Sequence, residues 1–550
     1  MLRGESRERL DFGPRGLLEY PYESQSHRGG AVNRSLVIGL DGCSWNVLEP
    51  LLDAGELPNL AALRKRGTSA VLESTVPFYT GPAWTSYATG MSPAGHGIYD
   101  FMMLREDGQL SVARQEDLRH RTYFEQLGQA GKRCVLINLP LDQDGAEGAV
   151  IVNSWLTDDP GRRMLPLGRQ ERYRKLLDAY RVFPENPRDL EELCRLEEAR
   201  FDLARELFLS EPWDHFFVLF SSTDWLGHGL TGAFLRREPE GRAAFSRLYR
   251  QLDAYIGWLV EHAPDALVTV LSDHGQCEER AVVRVNSILQ QMGLVTRVDD
   301  GSGEASPFFV DRRPRPRTVE VPMRLSRYRF NPLLRPLALA AKRSLRRGLR
   351  VNLTSASARV DRARSRAFTP TDSSFAIHGT ELDPAELESI RSALLDVNLP
   401  DGTPAFDGVW SHEELYGRPA GEGDPLLLFA PATGVRPSAV LKEPAVQVQP
   451  SHARGCHQRE GILLMAGATV RAGAELGNAS ICDVAPTLLW AIGAGVPRDS
   501  DGRVLFEAFR DDFVAARPLV EVEVSANGAG SARKDEPGEV VQRLKALGYI

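Results

Sequence analysis

SLVIGLDG, residues 35–42, is a short apolar run that ends abruptly at Asp41 and Gly42. It shows no alternation of polar and apolar positions. A strand with one wet face alternates; a strand covered on both faces does not. The same kind of run recurs at CVLINLP (134–140), HFFVLFSS (215–222), ALVTVLSDHG (266–275), PLLLFAP (425–431) and GILLMAG (461–467). Between the runs lie helical patterns: LPNLAALRKRG (57–67), RTYFEQLGQAGK (121–132) and LEELCRLEEARFDLARELFL (190–209). Strand alternating with helix predicts an α/β fold, a doubly wound and mostly parallel sheet flanked by helices.

The rest of the chain is organised around that core. A length of 550 residues asks for several units, or for one large core with insertions. Apolar residues at 42% and charged residues at 25% are ordinary for a globular protein, which excludes a disordered or fibrous chain. The net charge of −8 gives no case for a protein that coats nucleic acid. The charge is uneven, however: Arg312 to Arg350 holds thirteen Lys or Arg and a single acid, Glu320. We expect an α/β core over 34–295 and 360–515, interrupted by a basic insertion or cap at 296–359. A polar, mobile leader (1–33) precedes it, and a linker with a short C-terminal helix (516–550) follows. The six cysteines are scattered without a CxxC pair, as expected for reduced thiols. The N-terminus lacks an apolar segment of signal type, and no run approaches the ~18–20 residues of a membrane span. Together these predict a soluble, cytoplasmic protein.

Ligands of doubly wound sheets collect beyond the carboxyl ends of the strands. Asp41 follows the first run, Asp224 and His228 follow HFFVLFSS, and Asp273-His274 follow ALVTVLS. Gly455-Cys456-His457 stand just before GILLMAG. Three aspartates and three histidines at such places are the oxygen and nitrogen donors of a zinc-type site. Asp224 and His228 are one helical turn apart and share a face. Thr80 precedes Gly81-Pro82, where a helix begins; its hydroxyl either caps that helix or faces an anion at the helix N-terminus.

The block PAWTSYATGMSPAGHGIYDF (82–101) resembles the type I phosphodiesterase/nucleotide pyrophosphatase branch of the alkaline phosphatase superfamily, closest to its bacterial and archaeal phosphohydrolase and phosphomutase members. The likeness runs from about 35 to 295 and again from about 360 to 510. It implies an alkaline-phosphatase-like core and two divalent metal ions, Zn²⁺ first and Mn²⁺ as the alternative. One would be held by Asp41, Asp273 and His274, with Thr80 bridging as the nucleophile. The other would be held by Asp224, His228 and His457. GCHQREGILLMAG favours His457 over its rival His452. The resemblance implies hydrolysis of a phosphoester or nucleotide-like substrate through a phosphothreonine. A phosphomutase or phosphomonoesterase on the same core, or a metal-containing binding protein without turnover, are the alternatives. Sulfatase chemistry is excluded, because Thr80-Gly-Pro82-Ala-Trp84 replaces the C-x-P-x-R motif it requires.

Phe78, Tyr79 and Trp84 flank Thr80 and are candidate substrate contacts. His96 reads as a packing and hydrogen-bonding residue, and DVAPTLLWAIG (483–493) as a structural support for the His457 loop. The basic stretch 333–350 sets leucines among Lys342, Arg343, Arg346 and Arg347. It either touches anionic lipid or a polyanion, or forms a solvated cap helix.

Overall fold

The computed structural model describes residues 32–298 and 359–524, apart from 106–107, 142, 144, 155, 158–162, 381, 422 and 449–452. The leader, the basic insertion with its 333–350 stretch, the rival His452 and the C-terminal helix fall wholly or almost wholly outside these residues.

The main sheet has ten strands. In chain order they are β1 (Ser35–Leu40), β2 (Gly67–Glu73), β3 (Cys134–Ile137), β4 (Ala149–Val152), β5 (Met164–Leu165), β6 (His215–Phe220), β7 (Leu267–Leu271), β8 (Glu460–Ala466), β9 (Ala474–Glu475) and β10 (Ala479–Ser480). They lie in the order β9–β2–β8–β7–β1–β6–β3–β4–β5, with β10 also on β2. The central strands β7, β1, β6, β3 and β4 are all parallel. Their residues are buried throughout, which is why the sequence runs show no alternation.

Each face is covered by helices. Leu36, Ile38 and Leu40 point to one face, where they meet α2 (Leu190–Ser210) and α4 (Pro239–Glu261). Val37 points to the other face, toward α1 (Thr80–Thr89) and α5 (Val484–Ile492). Each fully buried Leu, Ile or Val contributes roughly 1.5–3 kcal/mol. The mostly parallel α/β expectation therefore stands.

Two runs behave otherwise. GILLMAG forms β8, which is antiparallel to both its neighbours, β2 and β7. PLLLFAP is not in the main sheet. Its strand Leu427–Pro431 lies in a separate four-stranded antiparallel sheet with Ala367–Phe368, Ala376–Gly379 and Phe406–Trp410. Ile390 and Leu394, from the helix Pro384–Leu395, help close a third apolar cluster around it with Val283, Val285 and Phe375. The run is buried there, and burial alone does not say in which sheet.

The short antiparallel pair Arg297–Val298 with Arg359–Val360 brings the chain's departure at 298 beside its return at 359.

Candidate metal centre and active site

The register of the sheet builds the site. β1 and β6 end level, Leu40 opposite Phe220, and β7 ends one residue earlier, Leu271 opposite Gly39. Asp41, the start of α3 (Ser222–Leu235) and Asp273-His274 therefore emerge at one edge. α3 carries Asp224 in its first turn and His228 one turn later. β8 runs the other way, so its N-terminal end reaches this same edge. Just before it, Gly455–Gln458 pairs antiparallel with Gly275–Glu278, bringing His457 opposite Gln276.

The turn after β1 needs its glycine. Gly42 has φ +63°, and an added Cβ would lie 2.8 Å from Asp224 Oδ1. Its N–H donates to Asp273 Oδ1 at 3.1 Å, tying two of the loops together.

The seven residues meet. His228 Nε2 lies 3.3 Å from Asp224 Oδ2 and 3.0 Å from His457 Nε2. His457 Nε2 lies 3.4 Å from Asp224 Oδ1. His274 Nε2 is 3.2 Å from Asp273 Oδ2, 3.8 Å from Asp41 Oδ1 and 3.3 Å from Thr80 Oγ1. Donor atoms of Asp41, Asp273 and His274 fall within 4.8 Å of one another, and so do those of Asp224, His274 and His457. His274 thus stands between the two groups rather than wholly inside one. Its Nδ1 faces the Gly275 carbonyl at 3.1 Å, which leaves the Nε2 lone pair directed at the cluster. The rings of His274 and His457 stack with centroids 3.8 Å apart.

Thr80 is the first residue of α1; Tyr79 is the N-cap and makes no side-chain capping bond. The Thr80 hydroxyl is turned to His274 instead, so the capping alternative is set aside. Ala83 N–H, bonded to Tyr79 O at 2.9 Å, begins the helical ladder. The N–H groups of Thr80 and Gly81 precede it and have no acceptor within the helix.

The electrostatics ask for cations. Asp41, Asp224 and Asp273 are all buried. Burial, with Asp273 and Asp224 as neighbours, pushes the Asp41 carboxyl well above its ordinary range. Burial likewise raises Asp273 to about 7. Burial also opposes ionisation of Asp224, but His228 and His457 outweigh it and hold that carboxyl low. Burial lowers His274 to about 4 and His457 to about 3, so both imidazoles are neutral at pH 7 and free to ligate. Asp41 Oδ1, Asp273 Oδ2 and His457 Nδ1 are buried without a hydrogen-bond partner. Orphaned buried carboxylate oxygens beside neutral imidazoles are the donor set of a divalent metal site, and the residues fit one.

The aromatic candidates divide. Tyr79 stays at the site, its ring 4.4 Å from that of His457. Phe78 is buried edge-on against Phe375, 4.8 Å between centroids. Trp84 is wholly buried beneath the sheet and is not a substrate contact: an added Cβ on Gly39 would lie 2.7 Å from its ring. One turn beyond Thr80, α1 already lies over β1. His96 is buried, facing Ser86 Oγ at 3.0 Å and accepting from Ile98 N–H at 3.0 Å, as a packing residue should. α5 packs against α1, so DVAPTLLWAIG supports the Thr80 helix.

Three polar residues near the site escaped the sequence reading. Asp100, buried in the quoted block, accepts from the hydroxyls of Thr371 and Ser373 and ties the block to the small sheet. Arg436 pairs with Glu279 at 2.9 Å and with Asp372 at 3.5 Å. It opposes the carboxylates Asp224, Asp372 and Asp100, which with burial raise the Tyr79 phenol. Neither could be found from spacing, because their partners lie far away in the chain. Gln276 donates to Asp224, and its place directly after Asp273-His274-Gly275 was the available signal.

Residues 35–331 match the model of the type I phosphodiesterase/nucleotide pyrophosphatase family. Among solved structures, the phosphonoacetate hydrolase of Sinorhizobium meliloti 1021 bound to phosphonoformate superposes with a TM-score of 0.55 at 17% identity, covering 84% of this chain and 96% of that one. Its phosphonoacetate complex gives 0.55 at 17%, covering 86% and 98%. Murine ectonucleotide pyrophosphatase/phosphodiesterase 5 in complex with AMP gives 0.47 at 12%, covering 84% and 96%. At such identities the hydrolase superpositions speak to the fold, while the family match spans more than half of the chain. The chain belongs to the type I phosphodiesterase/nucleotide pyrophosphatase family, divalent-metal-dependent hydrolases of phosphoric esters.

Proposed function

We propose that this protein cleaves a nucleotide-like phosphodiester with Thr80 as the nucleophile. The observation that carries the reading is the Thr80 hydroxyl, held at a helix start 3.3 Å from His274 Nε2, the same atom that lies 3.8 Å from Asp41 Oδ1 and 3.2 Å from Asp273 Oδ2. Asp41, Asp273 and His274 would hold one divalent ion together with Thr80. Asp224, His228 and His457 would hold the second, with His274 between them. When bound, two such ions, Zn²⁺ by donor type and Mn²⁺ as the alternative, supply charge neutralisation and Lewis acidity to in-line phosphoryl transfer.

The chain's own residues do the rest. Thr80 Oγ1 gives up its proton and attacks phosphorus, the bond to the leaving oxygen breaks, and that oxygen takes up one proton in exchange and departs as the alcohol. Water then cleaves the phosphothreonine and returns the threonine hydroxyl. The N–H groups of Thr80 and Gly81 are the available donors to the phosphoryl oxygens. Tyr79, against His457, is the aromatic surface offered to the organic group of the substrate.

Matched aryl substrates test the ester class. The diester should be favoured in kcat/KM, and acid quench should trap on Thr80 the phosphoryl group with its retained ester substituent. A monoester preference of about tenfold or more, a shift of some 1.4 kcal/mol in transition-state binding, would overturn the diester assignment. Six buried, unbridged thiols support a reducing, cytoplasmic setting. Among the described residues, no helix is long and apolar enough to cross a membrane. The 333–350 stretch, outside the described residues, is proposed to draw in polyanionic substrate or anionic lipid. Changing Lys342, Arg343, Arg346 and Arg347 to Gln should then lower kcat/KM at low salt and leave it unchanged at high salt.

A further inference from the structure

We infer that Gln276 is a positioning residue for one metal site: it sets the orientation of the Asp224 carboxylate. This rests on the reading of Asp224 as a ligand. Gln276 is buried, and every polar atom of its side chain is used. Nε2 donates to Asp224 Oδ1 at 2.6 Å and to the Asp224 carbonyl at 2.9 Å. Oε1 accepts from Thr231 Oγ1 at 2.8 Å. Thr231 lies two turns beyond Asp224 on α3, so the amide lies along one face of that helix with an anchor at each end. Its main chain is fastened too: Asn46 Nδ2 donates to the Gln276 carbonyl at 3.0 Å.

The helix leaves a slot for this side chain. An added Cβ on Gly227 would sit 1.5 Å from Gln276 Oε1, so any larger residue there would expel the amide. Gly42 lies on the other side, where an added Cβ would be 3.1 Å from Nε2. The slot admits one extended side chain in one position.

The chemistry follows from the donor type. With the amide N–H on Oδ1, the carboxylate is held in the orientation that turns Oδ2 toward His228, its neighbour in the same donor group. A neutral donor fixes this orientation without cancelling the negative charge that attracts a cation. A lysine or arginine in its place would offset that charge, and a carboxylate would repel Asp224. Partners of this kind are worth about 10–100-fold in metal affinity.

Co²⁺ titration of the chelated protein, followed by visible absorption and calorimetry, tests the inference without requiring turnover. Gln276→Met keeps the length and removes the donor. It should weaken one of the two Co²⁺ sites by about 10–100-fold, change that site's d–d spectrum and leave the other site unchanged. Gly227→Ala leaves the glutamine in the sequence and expels its amide, so it should show the same defect. The double variant should be no worse than either single one, because both remove one contact. Should Gln276→Met misfold, Gly227→Ala alone carries the comparison. Wild-type protein that binds no Co²⁺ would sink the ligand reading itself. Wild-type binding with both single variants within about twofold of it would sink only the role of Gln276. So would equal weakening of both sites.

Discussion

The burial of Asp273 makes a double prediction about one substitution, Asp273→Asn. In chelated protein the carboxyl titrates at about 7 against 3.8 for an ordinary aspartate. A raised folded-state value means that the folded protein holds the proton more tightly than the unfolded chain. That stabilisation is fully present below about 4 and is lost as the pH rises through about 7, so at pH 8 the ionised group destabilises the fold. Three pH units correspond to about 4 kcal/mol at pH 8, and roughly 1–2 kcal/mol at pH 5. Asparagine removes the penalty and keeps the geometry: Oδ1 still accepts from Gly42, and Nδ2 can donate to the neutral His274. Chelated Asp273→Asn should therefore be more stable than wild type, by more at pH 8 than at pH 5. At about 2 cal/mol/K per residue, 4 kcal/mol is roughly 4 °C in Tm for a chain of this length. At pH 8 the buried His274 and His457 are neutral in wild type, and removing Asp273 also relieves Asp41 of a neighbouring charge, which moves the difference in the same direction. With metal loaded the order should invert, since the variant has lost a charged ligand. Thermal unfolding at four pH values, with chelator and with Zn²⁺, measures both halves. A chelated variant no more stable than wild type at pH 8, or an advantage that shrinks as pH rises, would refute the reasoning.

Thr80→Ala should lose turnover to below roughly a hundredth of wild type while its metal content stays near normal; Thr80→Ser should recover part of the rate. Substantial activity in the alanine variant would remove Thr80 from the chemistry. Asp41→Ala and Asp224→Ala should each deplete a different ion, read by metal analysis after limited chelation; equal loss of both ions in each variant would dissolve the division into two sites. Gly39→Ala places a methyl 2.7 Å from both Leu219 and Trp84, so it should cost roughly 1–3 kcal/mol of stability by overpacking beneath α1. Denaturant unfolding reads it, and a neutral result would mean that Trp84 can move aside.

Four of the five parallel strands, β1, β3, β6 and β7, were legible because a strand buried on both faces has no polar position to interrupt it; β4 (Ala149–Val152) was not read from the sequence. Asp41, Asp224 and Asp273-His274 were legible for the same reason, each being the first chemistry after such a run. What the sequence hid depends on direction and distance. Nothing in GILLMAG says that β8 runs against its neighbours, and nothing in PLLLFAP separates a core strand from one in the small sheet. Trp84 lies four residues after Thr80 in sequence, yet one helical turn carries it from the sheet edge to the sheet interior. Asp100 and Arg436 act through partners that only folding brings near.

The reversed strand explains the one candidate ligand that broke the strand-end rule. His457 precedes its strand, whereas Asp41, Asp224 and Asp273 follow theirs. A parallel β8 would have delivered its N-terminal residues to the far edge of the sheet. Running antiparallel to β7, it brings them to the edge where β1, β6 and β7 end. The residues before it can then pair with Gly275–Glu278, the segment that leaves His274. That ribbon sets His457 opposite Gln276, stacks its ring on His274 and places the glutamine amide on Asp224. One change of strand direction thus joins the two halves of the site: the loop after β7 supplies Asp273 and His274 to one group of donor atoms, and the ribbon it opens carries His457 to the other.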